Sequence, residues 1–122
     1  MIEWKKLISS FKYAFEGIVA VFKNEQNFKI HTIISVVVIL TAIALDFSNL
    51  RMIILLIIIG MVLALELVNT AVEKTVDLVT QNVHPLAKQA KDAAAGAVLV
   101  FSIFAVIIGI LLFIEPIFSI LR

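Results

Sequence analysis

The sequence predicts an all-α membrane protein: an N-terminal amphipathic surface helix followed by three transmembrane helices, in one domain spanning residues 1–122. Three observations predict it. Hydrophobic residues make up 62% of the chain and charged ones 16%, and a chain of 122 residues is too small to hide that much apolar surface in a soluble core. Apolar stretches fall at 28–45, 52–72 and 93–114, each near the about 20 residues that cross about 30 Å of hydrocarbon at 1.5 Å per residue. The first 23 residues alternate differently, with apolar groups recurring at spacings of three and four.

In that opening segment Trp4, Leu7, Ile8, Phe11, Phe15, Ile18 and Phe22 share a helical stripe, and Glu3, Lys5, Lys6, Ser9, Lys12, Glu16 and Lys23 take the other positions. Such a helix suits the membrane interface, or equally the flank of the protein's own bundle. It lacks the unbroken apolar core and small-residue cleavage site of a secretion signal. Helices are the element expected for the three apolar runs, because only they satisfy their own backbone groups in hydrocarbon. Between the first two runs, "DFSNLR" (46–51) has the composition of a tight hairpin. Between the second and third, "TQNVHPLAKQAKD" (80–92) reads as a polar surface connection, with Pro85 expected to interrupt a helix arriving from upstream.

Charge position orients the bundle. Lys5, Lys6, Lys12, Lys23, Lys29, Lys74, Lys88 and Lys91 fall on the side of the N-terminus and the long connection, eight against Arg51 and Arg122 on the other. The basic side is expected to be cytoplasmic, which leaves the C-terminus outside. The net charge of +1 gives no basic stripe for a phosphate backbone, so nucleic-acid binding is excluded. The absence of cysteine removes disulfides and thiolate metal sites.

Against this apolar background "ELVNTAVEKTVD" (66–77) stands out. Glu66, Glu73 and Asp77 are separated by seven and four residues, so at about 100° per residue they return to within about 20° of one direction, with Asn69 about 60° away. The stripe covers about 16 Å of helix axis at 1.5 Å per residue, from desolvated depth to the watery interface. A desolvated Glu66 is suited to act as a general base or proton carrier, and the lower carboxylates can hold a divalent cation. Intramembrane acids and amides also join helices together. Three acids and an Asn on one stripe, converging with Glu25 and Lys29 before the first span and Lys91 and Asp92 before the third, favour a cation site facing a phosphate-bearing ligand. A small proton-coupled transporter subunit using Glu66 is the competing class, and it leaves Glu25, Lys91 and Asp92 unexplained. His31 reads as an interfacial hydrogen-bonding residue, and Asp46, Arg51 and Glu115 as solvated charges at the outer boundary.

"ELVNTAVEKTVD", followed by "KDAAAGAV" and preceded by "NEQNF", resembles the small integral-membrane prokaryotic diacylglycerol kinase family over nearly the whole chain. "HPLAKQAKDAAAGAV" looks like its Gram-positive branch, whose members are undecaprenol kinases. The Gram-negative lipid kinases carry a Gly-Ser-Ala type sequence at Ala94, Ala95 and Gly96, and an acid at His31. The resemblance implies a homotrimer that transfers the γ-phosphoryl of ATP to a lipid hydroxyl with Mg²⁺, the lipid being undecaprenol or, as the alternative, diacylglycerol. It implies Glu66 as general base, Asn69 as an orienting residue, and Glu25 and Glu73 as metal ligands. It further implies Lys91 and Asp92 at the nucleotide phosphates, with Asp77 beside them, and Tyr13, His84 and Lys6 binding ATP; the family usually carries Arg at the last position. No G-x-x-x-x-G-K-[ST] loop occurs around Gly17, Gly60, Gly96 or Gly109.

Overall fold

A computed structural model describes all residues 1–122. The chain forms four helices in the order α1 (Trp4–Asn24), α2 (Gln26–Ala44), α3 (Asn49–Val79) and α4 (Pro85–Leu121). The last three are long and apolar enough to cross a membrane. α2 closely matches the expected first span. α3 and α4 are longer than expected, at 31 and 37 residues, or about 46 and 56 Å at 1.5 Å per residue, so both outreach a hydrocarbon core of about 30 Å.

The excess corrects the reading of residues 80–92. Helix α3 continues through the whole acidic stripe to Val79, and Pro85 does not end it. Pro85 instead opens α4, where its fixed φ and missing N–H suit the first helical position. His84 caps that helix, its Nδ1 accepting from the Leu86 N–H at 3.1 Å. The connection is therefore 80–84, five residues long.

Helices α1 and α2 meet at one residue. Glu25 is extended (φ −109°, ψ 115°) and serves as the C-cap of α1 and the N-cap of α2. Its N–H donates to the Val21 carbonyl at 2.8 Å and its carbonyl accepts from the Lys29 N–H at 3.2 Å, so Glu25's own backbone groups are both paired where the chain changes direction. Along α1, Ala14, Gly17, Ile18 and Val21 line a cleft against Leu67, Thr70 and Ala71 of α3. Trp4, Ile8, Phe11 and Phe15 remain exposed. The second half of α1 thus flanks the bundle and the first half keeps its aromatic groups free.

The hairpin between α2 and α3 is tight, as expected. Asp46 adopts a left-handed conformation (φ 54°). The Asp46 N–H donates to Ile43 and the Phe47 N–H to Ala42, at 3.0 and 3.1 Å, which closes α2 with a Schellman motif. Ser48 then caps α3, its hydroxyl accepting from the Arg51 N–H at 3.3 Å.

The core lies where α2, α3 and α4 meet: Ala42, Leu55, Ile58 and Leu112 are buried together, and Phe47 packs on Phe113 with ring centroids 4.7 Å apart. Ten of 122 residues are buried; Val38, Ile54, Ile59 and Ile108 pack half-buried against the core, and many of the other Ile, Leu and Val are exposed. That is the arrangement a hydrocarbon solvent permits, where helices join by close packing and hydrogen bonds without an aqueous hydrophobic drive. Hydroxyls within the helices bond backward to their own carbonyls: Thr32 to Phe28, Ser35 to His31 and Thr41 to Val37, at 2.6–2.8 Å. The buried Oγ of Ser102 has no such partner.

Of the boundary charges, Glu115 is exposed to solvent, but Arg51 is more than a solvated charge. Arg51 and Glu115 are paired across α3 and α4 at 2.6 Å, and Arg51 also donates to the Leu112 carbonyl at 2.6 Å. Pro116 lies inside α4, four residues after Leu112. Having no N–H, it cannot supply the helical bond that carbonyl would normally accept, and the guanidinium takes its place.

Candidate functional site

Glu66 is the one buried charged residue, 4% exposed, with Thr70 buried one turn below it. Its Oε1 lies 3.4 Å from His31 Nε2 on α2, close enough for an ion pair when the imidazole is protonated. Glu25 and Glu73 are close enough to act on its charge. Asn69, on the next turn of α3, directs its Nδ2 toward Glu73 Oε1 at 3.5 Å. Its Oδ1 is buried and has no partner. The first cluster therefore pairs His31 of α2 with Glu66 of α3, and Asn69 with Glu73 two turns along α3 from Glu66, while Glu25 stands at the α1–α2 corner on the same side of the bundle.

The acidic side chains here are the buried Glu66 and the half-buried Glu73 and Glu25, with an unpartnered amide oxygen on Asn69 and one imidazole beside them. Like charges near one another repel, and a cation relieves them. The donors are hard oxygens, suited to Mg²⁺ more than to a softer metal. No three histidine or acidic side chains converge into a metal cage within the chain.

A second cluster lies nearer the 80–84 connection. Lys91 of α4 pairs with Asp77 of α3, tying the two helix ends together. Lys88 pairs with Asp92 one turn along the same helix. His84, Lys88, Lys91 and Asp92 line a hollow together with the connection. Basic and acidic groups thus share one surface concavity, in which an anion can exchange places with a carboxylate partner.

The sequence-derived residues fall into three groups. Glu66, Asn69 and Glu73 share one length of α3, with Glu25 at the α1–α2 corner and in no hydrogen bond or ion pair with them. Asp77, His84, Lys91 and Asp92 come together as the second. Lys6 and Tyr13 join neither by a hydrogen bond or ion pair: Lys6 faces Glu3 at 3.9 Å on the same turn of α1, and Tyr13 is exposed. His31 reads from the sequence as a hydrogen-bonding residue, but its partner Glu66 does not, because a pairing between separate helices leaves no spacing in one sequence. Lys88 was passed over, although its place one turn before Asp92 is a recognisable i,i+4 pair.

Comparison with known proteins places these clusters in context. The profile of a family described as prokaryotic diacylglycerol kinase matches residues 12–113, which include all of the first cluster and all of the second. The undecaprenol kinase of Bacillus subtilis is 43% identical over 111 residues, covering 91% of this chain and 90% of that protein. A diacylglycerol kinase of Synechocystis is 45% identical over 116 residues, covering 94% of this chain and 66% of that one. A diacylglycerol kinase of Pseudomonas aeruginosa is 34% identical over 93 residues, 76% of each.

Proposed function

This chain belongs to the prokaryotic diacylglycerol kinase family, and from that premise we propose that it is an ATP-dependent kinase of undecaprenol, acting at the cytoplasmic face of the cell membrane. The observation that carries the chemistry is a nearly fully buried Glu66 at the head of an acidic cluster. The choice of lipid is supported by the likeness to an undecaprenol kinase along 90% of that protein's length. Diacylglycerol is the second reading, favoured by the likeness to the Synechocystis enzyme. Kinship with lipid kinases displaces the transporter reading.

In this reading the lipid hydroxyl comes to Glu66 from the bilayer and ATP comes from the aqueous side. The alcohol oxygen attacks the γ-phosphorus, the bond to the β–γ bridging oxygen breaks, and ADP leaves. Glu66 accepts the hydroxyl proton, a task for which a desolvated carboxylate is better suited than a hydrated one. Asn69 holds Glu73 in place through its amide nitrogen. Glu25 and Glu73, with the free Asn69 Oδ1, are the residues that would hold Mg²⁺, which when bound neutralises phosphate charge. Lys91, released from Asp77, and Asp92 and His84 beside it would meet the polyphosphate. Without a glycine-rich loop, charge does the work of a backbone cradle.

Lys6 and Tyr13 complete the nucleotide site only if α1 moves or another copy of the chain supplies them. A homotrimer with sites shared between protomers accommodates both residues and the exposed apolar faces of α2 and α4. The amphipathic α1 would lie along the interface, its exposed Trp4 and Phe11 in the headgroup region. The excess of lysine on the N-terminal side supports a cytoplasmic N-terminus and site and an external C-terminus.

The test is phosphorylation of undecaprenol and diacylglycerol side by side, with purified protein, ATP and Mg²⁺ in mixed micelles. Preferential labelling of undecaprenol is expected. Preference for diacylglycerol would move the assignment to the second reading, and labelling of neither would overturn both.

A further inference from the structure

The side chain of Glu66 is 5% exposed, and a carboxylate out of water loses hydrogen bonds that only a donor from the protein replaces. The charges that bear on it belong to His31, Glu73 and Glu25. Of these only the imidazole can donate, since an ionised carboxylate only accepts. Asn69 is no substitute, because its Nδ2 is turned toward Glu73. His31 Nε2 stands 3.4 Å from Glu66 Oε1. Resting on the lipid-kinase reading, we infer that His31 is the positioning residue of Glu66: its Nε2–H holds Oε1 and leaves Oε2 as the oxygen that takes the proton of the lipid hydroxyl.

Chemistry and placement both suit this role. The terminal torsion of a glutamate is broad and two-fold, so a carboxylate left to itself would present either oxygen, or neither, to an incoming alcohol. A base works only within hydrogen-bond reach of the proton it abstracts. The two partners stand on different helices, His31 on α2 and Glu66 on α3, so the contact fixes the carboxylate against a second backbone as well as its own. When protonated, the ring also offsets the cost of an ionised carboxylate in a region of low dielectric. One contact thus supplies orientation and charge together. The imidazole is the more open of the pair, its side chain 29% exposed, and it lines a groove of about 420 Å³ between α2, α3 and α4. Removing the ring therefore leaves a space continuous with that groove, which a small added molecule can enter.

The experiment makes His31→Ala and His31→Gln in the full-length protein, each alone and together with Glu66→Gln. All are assayed with ATP and Mg²⁺ on undecaprenol in mixed micelles, with and without added imidazole. His31→Ala should lower kcat by about ten- to a hundredfold, the scale of a misplaced reacting group, with KM for ATP within about twofold of wild type. His31→Gln keeps an amide donor and should be intermediate. Imidazole should restore part of the kcat of His31→Ala and leave the wild type unchanged. With Glu66→Gln present, His31→Ala should lower kcat by less than about twofold, because no base remains to be positioned. Wild-type kcat in His31→Ala would overturn the inference, as would the same fold-loss with and without Glu66→Gln. Loss of assembly in both His31 variants, with no recovery on adding imidazole, would also overturn it and make the pair a joint between helices. Wild-type protein that labels no alcohol would instead overturn the kinase reading, and the inference with it.

Discussion

Substitution of Arg51 by Met should destabilise the protein out of proportion to the loss of a surface ion pair. Two contacts disappear, and they differ in weight. The bond to Glu115 involves a carboxylate whose side chain is 79% exposed, and an exposed pair contributes about 0–1 kcal/mol. The bond to the Leu112 carbonyl has no substitute, because Pro116 cannot donate. Leaving a buried acceptor without a partner costs about 1–3 kcal/mol, so the total is about 1–4 kcal/mol. Glu115→Gln, which spares the carbonyl, should cost about 1 kcal/mol or less. The decisive arm is Pro116→Ala, whose new N–H can donate to Leu112. In that background Arg51→Met should cost at least about 1 kcal/mol less than in the wild-type chain. Unfolding free energies from graded denaturing detergent in mixed micelles would give all four corners of the cycle. If the cost of Arg51→Met is the same with and without the Pro116→Ala change, or if Glu115→Gln is as damaging, the carbonyl does not depend on the guanidinium and the reasoning fails.

The other expectations concern the turn and the candidate site. Asp46→Gly should stabilise the hairpin by about 1 kcal/mol, since a left-handed φ of 54° strains a residue with a Cβ; the same unfolding titration reads it, and a loss of stability would mean that the Asp46 side chain contributes more than its backbone costs. Glu73→Gln should abolish lipid phosphorylation while insertion and assembly persist, because size and hydrogen bonding are kept and the charge that a divalent cation needs is lost; near-normal turnover at ordinary Mg²⁺ would remove Glu73 as a ligand. Mixing inactive Glu73→Gln with inactive Glu25→Gln should restore part of the activity if sites are shared between protomers, and no rescue in verified mixed oligomers would place both acids in one chain.

Much of the fold is legible because lipid solvation depends on composition. The runs beginning at Phe28, Met52 and Ala93 are apolar over a bilayer's thickness whatever they pack against. Helix ends were less legible. Pro85 can stop one helix or start another, and the choice turned on His84, whose ring supplies the cap. The stripe of Glu66, Asn69, Glu73 and Asp77 could be read because it obeys one helix's period. Contacts between helices have no period: nothing in the order of residues places His31 against Glu66, or Lys91 against Asp77. For Arg51 the sequence does carry a signal, since Pro116 four residues after Leu112 marks a carbonyl in need of a donor.

The claim on which the functional account turns is that Glu66 is buried in order to take a proton. Glu66→Gln keeps its shape and much of its hydrogen bonding and loses its basicity, so kcat for undecaprenol should fall by about 10²-fold or more, the contribution of general-base catalysis, with ATP affinity little changed. Glu66→Asp should be intermediate, its basicity kept and its reach shortened. An intact kcat in Glu66→Gln, with only the stability of the assembly lowered, would make the buried carboxylate an element of helix packing and place the base elsewhere.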